Sequence, residues 1–234
     1  MKAGYFTHLT EAATMEWVAN HTSIPVPKVH CAFIHKDITY IVSERIEGTM
    51  LCNVMDSLSE EDLNTILAQL RTMLDELRSI PPPPGTGVQS CIGGSMYDSR
   101  ILHAHGRFGP FKTINEFHSW IREGTTLEDY KIRSGDDDPD YLAFKHMLSV
   151  QDRPWSAPVF THGDMNPSNV LVRGTKVVGI IDWEFAGWMP PYWEYTSANY
   201  VFPQLWRRSI PKFLDPWPEE LKMERTRQRW FGDF

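Results

Sequence analysis

The segment from 161 to 183, THGDMNPSNVLVRGTKVVGIIDW, constrains the fold of this chain more than any other stretch. Two β-forming runs flank Gly174-Thr175, which indicates an antiparallel hairpin with its turn at that point. A polar loop that carries Asp164 leads into the first strand. Because antiparallel strands pair end to start, Asn169 at the beginning of one strand lies next to Asp182 at the end of the other. The three polar side chains are therefore expected around one point.

These side chains have the chemistry of a phosphoryl-transfer site. The amide oxygen of Asn169 and the carboxylate of Asp182 are hard ligands of the kind that suits Mg²⁺. Asp164, on the preceding loop, is placed to orient or deprotonate a hydroxyl group. The alternative interpretation makes Asp164 a turn residue, Asn169 a loop cap and Asp182 the end of a strand.

Composition narrows the possible partners. The chain has 234 residues and a formal net charge of −7 at pH 7, which argues against nucleic acid, since phosphate backbones need basic surfaces. No apolar run approaches the ~20 residues of a membrane-spanning helix, and the first residues, MKAGYFTHLTEA, lack the apolar centre of a signal peptide. Cys31, Cys52 and Cys91 lie far apart without CxxC spacing, which favours free thiols. We therefore expect a cytoplasmic protein without a nucleic-acid partner or membrane contact.

Periodicity and turn residues predict a mixture of helices and hairpins. An N-terminal hairpin has Lys36-Asp37 at its turn. Ser57 and Ser59 are both placed to open a long helix, with Glu60 and Asp62 at capping-box spacing. Four prolines at 81–84 end that helix, and residues 85–110 are predicted to form a long loop. Further helices are predicted at 11–21, 115–123, 140–150 and 218–230.

The motifs HGDMNPSN (162–169) and IIDWEFAG (180–187) resemble the catalytic and metal-binding signature of the aminoglycoside phosphotransferase family. That family shares its fold with protein kinases and choline kinases. His162, Asp164 and Asn169 keep the spacing of the kinase pattern H-R-D-x-x-x-x-N. His162 is expected to hydrogen-bond within the loop rather than to act as a base. Gly163 replaces the arginine that docks a phosphorylated activation loop in many protein kinases, so that mode of regulation is not expected.

The resemblance extends over nearly the whole chain and implies further site residues. Residues 41–51, IVSERIEGTML, resemble the hinge between two lobes, where backbone groups near Glu44 and Ile46 would contact adenine. Lys2 and Glu11 stand where the family places its phosphate-binding lysine and the glutamate paired with it. Alternatively, Lys2 is a frayed, solvated residue and Glu11 favours a helix N-terminus. Residues 192–200, YWEYTSANY, resemble a helix behind the catalytic loop, with Glu194 as acceptor for loop amides.

The implied fold class is α+β, a protein-kinase-like two-lobed fold with a mainly helical C-terminal lobe. Residues 1–47 would form a partial N-terminal lobe with the hinge at 43–48, and residues 48–234 the C-terminal lobe with the catalytic loop and metal-binding hairpin. No GxGxxG motif occurs in the sequence. We therefore expect a truncated N-terminal β lobe, a barely formed strand at Lys2 and no glycine-rich loop over the phosphates.

The function predicted from these motifs is an ATP-dependent phosphotransferase. It would use ATP and Mg²⁺ and move the γ-phosphate to a hydroxyl of a small molecule, with Asp164 as base or orienter and Asn169 and Asp182 holding the metal. Two alternatives remain. One is a catalytically impaired, kinase-like binding protein, and the other is a fragment of a longer kinase. The acceptor is open, and the acidic charge mildly favours a cationic one.

Overall fold

The computed structural model describes residues 1–101, 104, 106–134, 140–200 and 203–232. Its strands are β1 (Lys2–Gly4), β2 (Val29–His35), β3 (Ile38–Ser43), β4 (Thr49–Met50), β5 (Met96–Tyr97), β6 (Arg107–Phe108), β7 (Val159–Thr161), β8 (Val170–Arg173), β9 (Lys176–Ile180) and β10 (Gly187–Met189). Its helices are α1 (Leu9–His21), α2 (Glu60–Ser79), α3 (Ile114–Ile121), α4 (Leu127–Ser134), α5 (Tyr141–Gln151), α6 (Trp193–Ala198), α7 (Gln204–Phe213) and α8 (Pro218–Phe231). None of the helices in these ranges has an apolar stretch long enough to cross a membrane.

The N-terminal strands form an antiparallel sheet in the order β1-β3-β2. Lys36 and Asp37 turn the chain between β2 and β3 with φ angles of 49° and 62°, which is the backbone conformation of a type I′ hairpin turn. The hairpin predicted there is confirmed. β1 is three residues long, yet it pairs fully with β3 and places Lys2 opposite Ile41. The expectation of a barely formed strand at Lys2 is therefore wrong. All three residues of β1 pair with β3, because β3 presents its backbone hydrogen-bonding groups along that edge.

Helix α2 forms where its sequence supplies a cap and an apolar face. Ser59 Oγ accepts a hydrogen bond from the Asp62 backbone N–H at 3.0 Å, which satisfies one of the unpaired donors of the first turn. The helix packs against α7, β7 and β9. Its buried residues recur at spacings of three and four: Leu63, Ile66, Leu67, Leu70, Leu74 and Leu77. The predicted long helix is confirmed.

The hairpin predicted at 169–183 is formed by β8 and β9. Val170 lies opposite Ile180, and Gly174 in the turn has a φ of 58°. Beyond the last paired residues, the Ile181 N–H donates to Asn169 O at 3.0 Å. The pairing thus extends to the residue before Asp182, as the sequence predicts, and β4 completes the sheet in the order β4-β8-β9.

The sequence did not predict α4, α7 or the short strands β5 and β6 within 85–110. Helix α7 contains Pro211, a residue that normally ends a helix. The helix still buries Trp206, Ile210 and Phe213, at spacings of four and three, and it packs against α2. Tertiary packing therefore outweighs the local effect of the proline.

Buried hydrophobic residues form two clusters. The first joins Met15 and Ile41 of the N-terminal segment to Leu70 and Trp183 of the later chain. The second surrounds Phe117 and includes residues of α5 and α8. Apolar packing thus continues across residue 47, and the division into two lobes at that position stays a prediction.

His118 is a buried histidine in the second cluster. It is 0% exposed, with Nδ1 2.9 Å from Gln151 O and Nε2 2.7 Å from Tyr192 Oη. A carbonyl oxygen can only accept, so Nδ1 carries the proton and Nε2 accepts from the Tyr192 hydroxyl. Burial lowers the pKa of His118 to about 3. Further lowering comes from the charges of Arg122, Arg153 and Arg227.

We expect the protein to lose stability when the pH falls from 7 to 5. The folded pKa of His118 lies below its ordinary value of 6.5. Its contribution is therefore complete above the unfolded pKa and declines as the pH falls toward the folded one. The loss at pH 5 is about 2 kcal/mol. Urea unfolding of the wild type and of His118→Gln at both pH values measures it, and an identical pH dependence in the two proteins would contradict this origin.

Candidate active site

The loop between β7 and β8 carries the HGD motif, and His162 holds its backbone in place. His162 is fully buried. Its Nδ1 accepts from the Asp164 backbone N–H at 3.2 Å, and its Nε2 lies 3.0 Å from Ile181 O, to which it donates. His162 therefore joins the catalytic loop to the segment that ends in Asp182. This confirms that His162 makes structural hydrogen bonds rather than facing a substrate.

Glu194 supports the same loop from behind. It lies in the first turn of α6 and is 0% exposed. Its Oε2 accepts from His162 N at 2.6 Å and its Oε1 from Gly163 N at 3.1 Å. Hydrogen bonds to an ionised acceptor are stronger than neutral ones. The acceptor function expected of Glu194 is confirmed.

Asp164 is oriented by two amide side chains. Its Oδ2 accepts from Asn166 Nδ2 at 3.0 Å and from Asn169 Nδ2 at 2.9 Å. In the described part of the chain, Oδ1 has no hydrogen-bond partner, and the side chain is half-buried. The two amides fix the carboxylate plane and leave Oδ1 available to a group outside the loop.

Asn169 and Asp182 lie side by side, as the hairpin predicts. The Asn169 amide nitrogen is used by Asp164, so its amide oxygen is the atom left for a cation. Asp182 has a φ of 64°, a conformation that non-glycine residues rarely adopt and that clusters at functional sites. Its carboxylate is 39% exposed.

Lys2 bridges three carboxylates. Its Nζ lies 2.8 Å from Glu11 Oε2, 2.9 Å from Asp182 Oδ1 and 2.9 Å from Glu184 Oε2. The hydrogen bonds are directed at Asp182 and Glu184, while the contact with Glu11 is ionic. The structure thus pairs Lys2 with Glu11, and it extends the pair into the predicted metal site.

Glu184 is a site residue that the sequence prediction omitted. One oxygen each of Glu11, Asp182 and Glu184 lies within 4.8 Å of the others, a spacing that allows a shared cation. The available signal was its closeness to Asp182 in the sequence. The alternation rule for strands does not apply here, because Asp182 has a φ of 64° and the segment is not extended. The prediction assigned a role only to the first carboxylate of the pair.

Lys2 and the carboxylates around it shift one another's pKa. Burial lowers the pKa of Lys2, but the hydrogen bonds and charges of Glu11, Glu184 and Asp182 raise it by more, so it lies above its usual range. Lys2 is therefore a cation at neutral pH. Burial raises the pKa of Glu11, and the Lys2 ammonium offsets part of that rise.

One cavity collects the residues predicted to bind nucleotide or metal. It has a volume of about 570 Å³. Its wall includes Lys2, Glu11, Glu44, Ile46, Asn169 and Asp182. The apolar residues Met15, Ile41, Leu171 and Ile181 also belong to the wall. Asp164 is not part of this wall and lies next to it through its bond to Asn169.

The predicted hinge forms one edge of the cavity. The Glu44 backbone N–H donates to Lys28 O at 2.8 Å, so it is already used within the sheet. Among the described residues, neither the Glu44 carbonyl nor the Ile46 N–H has a backbone hydrogen-bond partner. Ile46 packs so closely on Gly179 that an added Cβ there would lie 2.6 Å from its Cδ1. This contact fixes the hinge against β9.

A sequence profile of the phosphotransferase enzyme family matches residues 8–215. The chain belongs to this family. The resemblance to aminoglycoside phosphotransferases is thereby confirmed, and the matched segment contains all the predicted site residues except Lys2. A stretch of 57 residues is also 46% identical to protein StrN of Streptomyces griseus, but it covers 24% of this chain and only 17% of StrN.

Solved structures of aminoglycoside phosphotransferases share the fold. A thermostable mutant of APH(4)-Ia in its apo form matches with a TM-score of 0.65 and 17% identity, over 98% of this chain and 74% of that one. APH(2")-IIia, solved with GDP and kanamycin, matches with a TM-score of 0.58 and 15% identity, over 94% of this chain and 69% of that one. The APH(4)-Ia ternary complex with ADP and hygromycin B matches with a TM-score of 0.56 and 19% identity, over 98% of this chain and 66% of that one. Identities this low establish the fold alone, and the predicted α+β, kinase-like fold is confirmed.

Proposed function

We propose that this protein transfers the γ-phosphoryl group of ATP to a hydroxyl group of a small molecule. The observation that carries the proposal is the meeting of Lys2, Glu11, Asn169 and Asp182 on one cavity. Asp164 is hydrogen-bonded to Asn169 at the side of that cavity. A cation, a metal-ligand pair and an oriented carboxylate are the parts that phosphoryl transfer requires.

The donor set fits Mg²⁺. Asn169 presents an amide oxygen, and Asp182 presents a carboxylate of which only Oδ1 is engaged by Lys2. Glu184 adds a further carboxylate oxygen, within 4.8 Å of one oxygen each of Asp182 and Glu11. Oxygen ligands of this kind, with room for phosphate oxygens and water, are what Mg²⁺ requires. When bound there, the ion supplies the positive charge that offsets the phosphate oxygens.

Lys2 is proposed to hold the α- and β-phosphates, and Glu11 to keep its ammonium group at the cavity. Glu11 is well suited to this because it is buried and reached by Lys2 at 2.8 Å. Lys2 also contacts Asp182 and Glu184. We infer that it releases these two carboxylates when phosphates enter and keeps its contact with Glu11.

Adenine is proposed to bind at the hinge edge of the cavity. The Glu44 carbonyl would accept from the exocyclic amine, and the Ile46 N–H would donate to a ring nitrogen. Ile41 and Leu171 are apolar residues of the cavity wall, and a flat ring would pack against them.

Asp164 is proposed to receive the acceptor proton on Oδ1. The hydroxyl oxygen forms a bond to the γ-phosphorus as the bond from that phosphorus to the β–γ bridging oxygen breaks. The proton passes to Asp164, and the products are a phosphate monoester and ADP. Because Oδ2 is held by Asn166 and Asn169, the carboxylate keeps its orientation throughout.

The acceptor is proposed to be a small hydroxylated molecule rather than nucleic acid or a membrane component. The structural relatives were solved with hygromycin B and kanamycin, and the net charge of −7 favours a cationic acceptor. All three cysteines are free thiols in the structure, which suits the reducing cytoplasm that we propose as the compartment.

We expect Mg-ATP to stabilise the folded protein. At a nucleotide concentration of about 100 times Kd the gain is about 2.7 kcal/mol. For a chain of this size that corresponds to a rise in Tm of about 5–10 °C. Lys2→Ala should lose most of the rise, while Lys112→Ala, which removes an exposed lysine away from the cavity, should keep it. Thermal unfolding with Mg-ATP, and with ATP plus a chelator, measures the effect.

ATP consumption across a panel of hydroxylated acceptors then tests the reaction itself. Stabilisation together with consumption supports the proposed phosphotransferase. Stabilisation without consumption for any acceptor would favour a kinase-like binding protein. The absence of both would overturn the nucleotide site.

A further inference from the structure

Arg100 lies between the catalytic loop and the segment that follows the metal site. Its guanidinium Nη2 donates to the carbonyl oxygen of Gly163, the residue before Asp164. The carbon at the centre of the same guanidinium lies 5.4 Å from the centroid of the Phe185 ring, three residues after Asp182. One side chain from the region 85–110 therefore contacts both segments that carry the proposed chemistry.

Asp98 fixes the orientation of that side chain. Asp98 is 3% exposed. Its Oδ1 accepts from Arg100 Nε at 2.8 Å and from the Arg100 backbone N–H at 2.9 Å, while its Oδ2 accepts from Nη2. A two-point contact of this kind uses the planar fork of arginine, which lysine cannot reproduce.

The Gly163 backbone is held from two directions. Its N–H donates to Glu194 at 3.1 Å. Its carbonyl accepts from Arg100 and has no other hydrogen-bond donor among the residues described. Gly163 has a φ of 81°, so the chain turns sharply here. The Gly163 carbonyl belongs to the peptide group that joins Gly163 to Asp164, so its orientation sets the direction of the backbone at Asp164.

The local charges keep the Arg100 guanidinium ionised. Burial lowers the pKa of Arg100, but the carboxylates of Asp98, Asp164 and Glu194 raise it by more, so it lies above its ordinary value. Arg100, whose side chain is 13% exposed, is thus a partly buried cation that offsets several acidic groups around the catalytic loop, in addition to its directed hydrogen bonds.

We propose that Asp98 and Arg100 form a positioning pair that fixes the Gly163 carbonyl and thereby sets the position of Asp164 against the acceptor hydroxyl. The proposal rests on the proposed phosphotransfer at Asp164. Neither residue of the pair is part of the nucleotide cavity wall, so both act through Asp164.

The first test separates kcat from KM in three variants. Arg100→Gln removes the charge, Arg100→Lys keeps it without the fork, and Asp98→Asn weakens the anchor. Each should lower kcat for ATP consumption about 10- to 100-fold, since small displacements of a reacting group have effects of that size. The KM for ATP should change by less than about two-fold, because Asp164 and not the cavity is displaced.

Arg153→Gln is the matched control. Arg153 also pairs with a buried carboxylate, Glu220, and its guanidinium carbon lies 4.2 Å from the centroid of the Trp155 ring. Loss of Arg153 therefore removes an ion pair and a cation–ring contact without touching the catalytic loop. Its kcat should stay at the wild-type value.

Hydrogen–deuterium exchange gives a readout that does not depend on turnover. The amides of residues 162–166 should exchange faster in the Arg100 and Asp98 variants than in the wild type and in Arg153→Gln. Wild-type exchange in a folded Arg100→Lys or Asp98→Asn protein would overturn the positioning pair, even if kcat fell. If the wild type itself consumes no ATP, the proposed function fails, while the exchange experiment still tests the pair.

Discussion

Replacement of Asp164 by Asn is expected to lower kcat by about 10²- to 10⁴-fold, the usual contribution of a positioned general base. The substitution keeps the size of the side chain and one oxygen for Asn166 and Asn169, which contact Oδ2 in the wild type. The fold should therefore be retained. Asp164 lies beside the nucleotide cavity rather than in its wall, so the Tm rise caused by Mg-ATP should remain. Steady-state ATP consumption and thermal unfolding measure the two effects.

Asp182→Asn provides the informative contrast. Asp182 is in the cavity wall and contacts Lys2, so its loss should abolish both turnover and most of the Mg-ATP stabilisation. Asp215→Asn is the control, because Asp215 pairs with Arg71 at an exposed surface and should change neither. Unchanged ATP turnover in Asp164→Asn would remove Asp164 from the mechanism. Equal loss of nucleotide binding in Asp164→Asn and Asp182→Asn would show that the two carboxylates do not have separate functions.

The hairpin and its polar residues were predictable because local rules determine them. Gly174 marks the turn, alternating β-formers set the register, and antiparallel pairing then brings Asn169 to Asp182. The position of Lys2 was harder to derive, since it depends on β1 pairing with β3 across some 40 residues of chain. The family resemblance, rather than any periodicity, indicated that Lys2 would meet Glu11.

The residues that the sequence prediction omitted are those whose role depends on distant contacts. Asp98 and Arg100 lie in a stretch predicted to be loop, and no spacing rule connects them to Gly163, 63 residues away. Glu184 is the exception, because it lies only two residues after Asp182 in the sequence. Helix α7 was missed because Pro211 masks a buried face that only the packing on α2 reveals. The candidate site is therefore predictable where its residues follow one hairpin, and not where a side chain from a distant loop contacts it.

The arrangement around Lys2 has a consequence for nucleotide binding. Three carboxylates and one ammonium leave this point with excess negative charge. Bound phosphates would be repelled there unless a divalent cation enters with them. We therefore expect ATP alone to bind more weakly than Mg-ATP, which the chelator arm of the thermal experiment measures. On the proposed function, metal and nucleotide binding are therefore expected to depend on each other.

Replacement of Gly163 by Ala is expected to destabilise the protein by about 2–5 kcal/mol and to abolish activity. An alanine with the φ of 81° found at this position is strained by about 1–2 kcal/mol. In addition, its Cβ would lie 2.6 Å from Phe185 O, and relieving such a clash costs about 1–3 kcal/mol. Since that contact joins the catalytic loop to the segment after Asp182, relief of the clash must move one of them.

Gly85→Ala separates the two contributions. Gly85 has a nearly equal φ of 80° and no atom within 4 Å of an added Cβ, so its substitution carries the backbone strain without the clash. We expect a loss of about 1–2 kcal/mol and full activity. Urea unfolding of both variants gives the two free energies, and their difference isolates the contact with Phe185. Equal destabilisation would mean that the two loops can separate freely. In that case the close approach of Gly163 to Phe185 would not be what holds Asp164 and Asp182 at one site.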